Sequence, residues 1–182
     1  AVAAALETGS IDFAGVSSNI SYSSIPDFEA NEDLTVHNID GTMAWYFAIN
    51  TEKPGFDNIL VRQAMAHALD KEYLMEVQAE GYGQIANTLN SPSTFGYYDE
   101  PRFEYDVEKA KDLLVEAGYP EGAGLSDLEA VIRQDRQKGT EVFQSALNDI
   151  GINMPINVME NTTYLSVCRE GNFGTSLIAS TM

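Results

Sequence analysis

Two arginines, Arg133 and Arg136, stand directly after a short apolar run, Leu128–Ile132, in a segment otherwise poor in apolar side chains. The run has the length and composition of a buried strand. In open α/β sheets, ligands bind beyond the carboxyl ends of the strands. A guanidinium offers a planar fork of donors that matches a carboxylate in two parallel hydrogen bonds. Arg133 and Arg136 are therefore candidate grips for an anionic group on a ligand. The alternative is two solvated arginines paired with Asp135 or neighbouring acids. The aromatic stretch Phe95-Gly96-Tyr97-Tyr98 is a second candidate: either it lines a cleft, with Tyr97 as a contact, or it stabilises its own loop.

Other chemistry-bearing residues lead less far. Gly81-Tyr82-Gly83-Gln84-Ile85-Ala86 fits a loose dinucleotide fingerprint. That fingerprint needs a strand before it and a helix after it, whereas here a helical pattern precedes it, so a helix-ending turn is expected. His37 and His67 are far apart, and neither has an acidic or His partner at metal-ligand spacing, so His67 is expected on a surface or in a cap and no metal site is expected. Cys168, the single cysteine, has no neighbouring signature of a nucleophile and is expected as a buried or half-buried thiol. The acidic residues are spread out, as at Glu29, Glu32 and Asp33 or at Asp99, Glu100 and Glu104. Nothing in the pattern drives two of them to different pKa values, as acid–base work requires. No G-x-S-x-G elbow occurs, so no catalytic residue is assigned and an acidic α/β hydrolase is the weakest of the alternatives.

Composition narrows the classes. The chain has 182 residues, 28 acidic against 10 basic, for a formal charge of −18. A surface that negative repels phosphate backbones and anionic lipid, which argues against nucleic acid as a partner. The longest uninterrupted apolar run, Met43–Ile49, is too short to span a bilayer. One cysteine permits no internal disulfide. The chain starts Ala1-Val2-Ala3-Ala4 and stops at Thr181-Met182 directly after a strand-like run, which suggests a processed or excised piece of something longer.

The elements that would position these residues follow from pattern. Ala1–Glu7 predicts a helix, Ile11–Val16 a strand, and Asn19 or a nearby Ser a cap for a short helix running toward Ala30. Leu34–Ile39 alternates as a strand does, and Met43–Asn50 predicts a strand buried on both faces. Asp57 or Asn58 caps a helix with the stripe Val61, Ala64, Met65, Ala68 and Leu69, and Asp70–Glu80 forms the next. Gln84–Arg102 is a long aromatic loop. Asp106 caps a helix closed by Gly118 and Pro120. Strands at Leu128–Ile132, Ile152–Met159 and Thr175–Thr181 alternate with helices at Thr140–Ile150 and Thr162–Glu170, an order that predicts a parallel sheet.

Several stretches, in order and spacing, resemble the core signature of family 5 extracytoplasmic solute-binding proteins, the oligopeptide, dipeptide and nickel receptors of ABC importers. They are Leu6-Glu7-Thr8-Gly9-Ser10-Ile11-Asp12, Asn50-Thr51-Glu52-Lys53-Pro54, Phe56-Asp57-Asn58, Val61-Arg62-Gln63-Ala64 and Ala68-Leu69-Asp70-Lys71. The match continues at Gly81-Tyr82-Gly83, Pro92, Gly96-Tyr97, Tyr105 to Leu114, Glu116-Ala117-Gly118-Tyr119-Pro120, Gln144 and Ile150-Gly151-Ile152.

The resemblance implies an α/β fold: a three-layer lobe of a periplasmic-binding-protein-like (type II) fold with a mixed sheet, its central strands Ile152–Met159 and Leu128–Ile132. It implies that residues 1–40 are a hinge-proximal segment related to the first lobe, and that residues 41–182 form an incomplete second lobe which binds ligand. It further implies a monomer outside the cytoplasmic membrane, held by a lipid anchor beyond this chain, with no cofactor, that captures oligopeptides or dipeptides and hands them to ABC permease subunits. The same scaffold can carry a nickel chelate or a sugar instead. The family's ligand motif is a Trp followed three residues later by an Asp. The Trp position falls on Ser180, beside Thr181, and the Asp position lies just past Met182. The family's carboxylate-gripping Arg corresponds to Arg133 or Arg136.

Overall fold

The chain divides into two compact units, Ala1–Asp40 and Gly41–Met182. A computed structural model describes residues 2–15, 20–39, 41–90, 92, 94–98 and 103–181, with the side chains of Ser180 and Thr181 outside the description. The first unit holds helix α1 (Val2–Glu7), a 3₁₀ turn at Tyr22–Ser24 and helix α2 (Ile25–Glu29). The strands expected at residues 11–16 and 34–39 are not formed: residues 11–15 and 34–39 are irregular, and Val16 lies outside the described residues, as does the cap candidate Asn19. Alternation favours extended backbone, but an extended segment becomes a strand only when a neighbour takes its N–H and C=O groups. Among the described residues the first unit offers no such neighbour.

In the second unit, strand β1 (Met43–Ile49) is followed by helices α3 (Ile59–Ala68), α4 (Lys71–Ala79) and α5 (Val107–Glu116). All three begin at an Asx cap. The side chains of Asn58, Asp70 and Asp106 accept from the backbone N–H of Leu60, Tyr73 and Lys109 at 2.9, 3.0 and 2.9 Å. Each satisfies a donor that has no partner inside its helix. Strand β2 (Ala130–Ile132), helix α6 (Gln137–Asn148), strand β3 (Ile156–Val158), helix α7 (Asn161–Arg169) and strand β4 (Thr175–Thr181) complete the chain. Helix α6 starts three residues before the expected Thr140. Its buried Gly139 sits against Gln78 of α4, and that contact outweighs the poor helix propensity of glycine.

The sheet is mixed, in the order β1-β4-β2-β3. Strand β2 pairs in parallel with β3, Ala130 opposite Ile156, and with β4, Ala130 opposite Thr175. Strand β1 pairs antiparallel with β4 from Met43↔Thr181 to Ile49↔Thr175. The expected central pair is thus half right: β2 is internal, but β3 is an edge and β4 takes the other central place. The β2–β3 ladder is short because Pro155 has no N–H to give, although Leu128 and Ala130 still donate to the carbonyls of Asn153 and Pro155 at 3.0 and 2.8 Å. As the opposite edge, β1 is not buried on both faces: Met43 is 55% exposed and Trp45 44%.

Helices cover both faces. Phe47 of β1 stacks on Phe143 of α6, ring centroids 4.1 Å apart. Ser176 of β4, on the opposite face by strand alternation, bonds Tyr164 of α7, Oη to Oγ 3.1 Å. The three-layer arrangement follows. The core lies on the α6 side, where Phe56, Val61, Met65, Leu114, Leu128, Leu147, Ile150, Ile152 and Met154 are fully buried or nearly so.

Two glycines close the α6–β3 corner. Gly122 and Gly151 both have positive φ, +71° and +85°, and a Cβ on Gly151 would run into the backbone carbonyl of Glu121. Gly118 has φ +87° with nothing within 4 Å of its would-be Cβ. Gly118→Ala is expected to cost only the left-handed strain, about 1–2 kcal/mol. Gly151→Ala adds a steric clash and is expected to cost about 3 kcal/mol or more. Urea unfolding of the two variants checks the difference.

Candidate functional site

Beyond Ile132 the chain leaves β2 extended at Arg133 and coils into a 3₁₀ turn, Gln134–Arg136, that runs straight into α6. This turn brings both arginines to one place. Arg133 grips Asp135 with two parallel hydrogen bonds, Nε to Oδ1 at 2.9 Å and Nη2 to Oδ2 at 2.6 Å. Its Nη1 donates to Asn161 Oδ1, at the start of α7, at 3.3 Å. Arg136 turns the other way. Its Nη1 donates to the carbonyl of Leu177 in β4 at 2.7 Å, and its Cζ lies 4.9 Å from the ring centroid of Trp45. The side chain is only 11% exposed, its Nε is buried without a hydrogen-bond acceptor among the described residues, and Asp135 Oδ2 is 3.6 Å from that Nε.

The turn is held from behind. Gln78 of α4 donates from Nε2 to the carbonyl of Asp135 at 3.2 Å and accepts the N–H of Gly139 on Oε1 at 2.8 Å. Thr140 Oγ1 donates to the carbonyl of Arg136 at 2.8 Å. One amide from a neighbouring helix therefore ties both flanks of the arginine turn, and only a glycine leaves room for it at 139.

In front of the turn is an open cleft of about 670 Å³, lined by Arg133, Gln134, Asp135 and by Val158, Met159, Glu160 and Asn161 from the end of β3 and the start of α7. It lies past the carboxyl ends of two parallel strands, where ligand sites of open α/β sheets form. Its polar groups are a guanidinium, carboxylates and amides, suited to charge-assisted recognition. Among the described residues no group of three or more His, Cys, Asp or Glu is placed to hold a metal ion.

The sequence candidates divide accordingly. Arg133 reaches the cleft; Arg136 is joined to it through Asp135 but packs on the sheet. Ser180 and Thr181 lie on β4 opposite Ala44 and Met43, three and four residues beyond Leu177, whose carbonyl Arg136 holds; their side chains are outside the described residues. Tyr97 is half-buried, its N–H on the carbonyl of Thr94 at 3.1 Å, and is not among the residues lining the cleft. His67 is buried, not superficial: Nδ1 lies 2.7 Å from the carbonyl of Glu104, and the ring meets Phe103 edge-on, so it ties the end of α3 to the segment before α5. Gln78 carries no signal in the sequence, since its role depends on a glycine 61 residues away. Asn161 was equally invisible; only the crossover through α7 brings it to Arg133.

Two measurements check this geometry. The hydrogen bonds from Arg133 hold the Asp135 carboxyl below the usual carboxylate range, against the opposing effect of partial burial. A depressed folded-state pKa adds stability above the unfolded value near 3.9, lost as pH falls through the folded value. Asp135→Asn is therefore expected to flatten the acid limb of the stability curve below about pH 4, and NMR titration of the Asp135 carboxyl carbon should show a midpoint below 3.9. Gln78→Ala is expected to cost about 1–3 kcal/mol through the two lost bonds and to loosen the arginine turn, read by amide hydrogen exchange at Gly139.

Comparison with known proteins supplies the family. The model for bacterial extracellular solute-binding proteins, family 5 Middle, matches residues 1–181. Heme-binding protein A of Haemophilus influenzae is 49% identical over 78 residues, 42% of this chain and 14% of that protein. The dipeptide-binding protein of Escherichia coli K12 is 29% identical over 157 residues, 83% of this chain and 29% of that protein. Among solved structures, the periplasmic binding protein DppA of Helicobacter pylori, in complex with the peptide STSA, superposes with a TM-score of 0.85 at 31% identity, covering 100% of this chain and 35% of that one. The chain thus spans about a third or less of the length of these relatives. With a family model running through residues 1–181, this protein belongs to the family 5 bacterial extracellular solute-binding proteins.

Proposed function

We propose that the chain is part of the substrate-binding component of an ABC importer, which captures peptides outside the cytoplasmic membrane and delivers them to the permease. In this proposal Gly41–Met182 is the second lobe of a two-lobed clamp, and Ala1–Asp40 is a hinge-proximal segment related to the first. The component works as a monomer and performs no chemistry on its ligand. Charge-assisted hydrogen bonds and main-chain pairing hold the peptide, and lobe closure retains it. Arg133 is the principal contact, supported by Arg136, with Ser180, Thr181 and Tyr97 as further contacts once the lobes close.

The observation that carries this proposal is the arginine turn at the mouth of the cleft, past the ends of β2 and β3. It presents a cation where parallel strands end, and a peptide brings a carboxylate and a row of main-chain donors and acceptors. The names of two relatives, a dipeptide-binding protein and a binding protein solved with a peptide, point the same way. A non-peptide solute is the second reading, favoured by the 49% identity to a heme-binding protein over 78 residues.

Thermal unfolding in the presence of di- to nonapeptides tests the proposal, because a ligand that binds only the folded state raises Tm. A rise with peptides is expected. Arg133→Gln is expected to weaken binding of peptides with a free C-terminal carboxylate about 10- to 100-fold, the worth of a charge-assisted hydrogen bond. No shift with any peptide, together with a shift in haem absorption on mixing, moves the assignment to the second reading.

A further inference from the structure

The Asp135 carboxylate stands between two guanidiniums and satisfies only one of them. Both of its oxygens are engaged by Arg133, at 2.9 and 2.6 Å, so the fork that would grip a ligand is already filled. Among the described residues the buried Nε of Arg136 has no acceptor, and Asp135 Oδ2 is 3.6 Å away. The remaining contacts of Arg136 hold it still: Nη1 on the carbonyl of Leu177 at 2.7 Å, and Trp45 against its plane. The backbone of Asp135 is held as well, by Gln78 at its carbonyl. The Asp135 side chain, 52% exposed, has room to turn once its two bonds to Arg133 are given up. A shift of about 0.7 Å would bring Oδ2 within ordinary N–H···O distance, about 2.9 Å, of Arg136 Nε.

We infer that Asp135 is a specificity-determining counter-ion with two seats: it fills the Arg133 fork when the cleft is empty, and moves to Arg136 Nε when an anionic group of the ligand takes that fork. The inference rests on the site proposed above and adds the mechanism by which that site selects. In the first seat a buried donor goes unmet. In the second, the ligand carboxylate satisfies Arg133 and the displaced Asp135 satisfies Arg136, so the exchange leaves no charge unpaired. A neutral ligand group cannot drive it, because it gives Arg133 nothing to replace Asp135 with. Charge is conserved in the exchange: one carboxylate replaces another on Arg133, and no proton moves.

The test reads the arginine Nε–Hε resonances of 15N-labelled protein. First, without ligand, Arg133→Gln removes the first seat. Asp135 should then move, shifting the Arg136 Nε–Hε signal and slowing its exchange with water, and the shift should vanish in Arg133→Gln/Asp135→Asn. An Arg136 signal that stays put in the single variant overturns the inference, whatever the cleft binds. The Arg133–Asp135 pair is partly solvated, so both variants are expected to fold. Second, tri-alanine and its C-terminal amide are titrated into wild type and Asp135→Asn. Asp135→Asn opens the Arg133 fork to the carbonyl of the amide as well and removes the gain at Arg136, so it should lower the preference for acid over amide about tenfold or more, the worth of one charge-assisted bond. An unchanged or raised preference in Asp135→Asn, with Arg133→Gln still weakening the acid, overturns Asp135 as the selector while the site stands. Equal binding of acid and amide, unaffected by Arg133→Gln, removes the site itself; the ligand-free measurement still decides whether Asp135 has two seats.

Discussion

Strand β2 has a parallel neighbour on each side, and a parallel pair can be joined only by a crossover long enough to hold a helix. That constraint organises the second unit. The chain leaves β2 for β3 on one side through α6, then returns across β2 to β4 through α7. Crossovers of one hand that run in opposite directions put their helices on opposite faces. The contacts agree, with Phe143 of α6 against Phe47 and Tyr164 of α7 against Ser176. The same constraint brings the carboxyl ends of β2 and β3 to one edge of the sheet. The turn into α6 and the start of α7 meet there across a single cleft, and Arg133 can reach Asn161, 28 residues away.

Positions inside that cleft are set by small numbers of bonds rather than by packing. The 3₁₀ turn Gln134–Arg136 is too short to hold itself, and its side chains bond mainly outside it, Gln134 to Gln137, Asp135 to Arg133 and Arg136 to the Leu177 carbonyl. Its registry comes from Gln78 behind it and from the Leu177 carbonyl beneath it. Gly139 is the concession that allows this, since any side chain there would displace the Gln78 amide. In the proposed exchange the backbone stays fixed and only the counter-ion has to rearrange.

Local signals in the sequence are legible, and long-range ones are not. Asp106, and Asn58 as one of two candidates with Asp57, are recognisable as caps because a cap involves residues two or three apart, and Gly118 as a helix end for the same reason, whereas Asp70 reads as the first residue of its helix and is its cap instead. The α/β alternation of the second half was legible because period and punctuation change at each element. Strand order was not. Nothing in Ile156-Asn157-Val158 says that it lies at an edge, and nothing in residues 34–39 says that an alternating stretch finds no partner. Of the site, the two arginines and their place after a strand could be read. Asp135 appeared only as an alternative partner, although at two residues' distance it settles what the Arg133 fork is doing. Gln78 and Asn161 were beyond reach because tertiary contact alone gives them a role.

On the function proposed above, the charge of this chain bears on which ligand suits the cleft. At −18, the surface opposes any net anion at long range, and salt screens that opposition only beyond about 8 Å at physiological strength. A monoanionic solute approaching Arg133 would therefore meet repulsion before it met the guanidinium. A zwitterionic peptide carries no net charge, so its approach is unopposed, yet at contact it delivers a carboxylate with the geometry the fork requires. The filled fork adds a demand for a carboxylate at contact, since in the proposed exchange only an anionic group displaces the one already seated at 2.6 Å. Acidic surface and filled fork together favour ligands whose negative charge is local and compensated elsewhere in the same molecule, which is the charge pattern of a peptide with free ends.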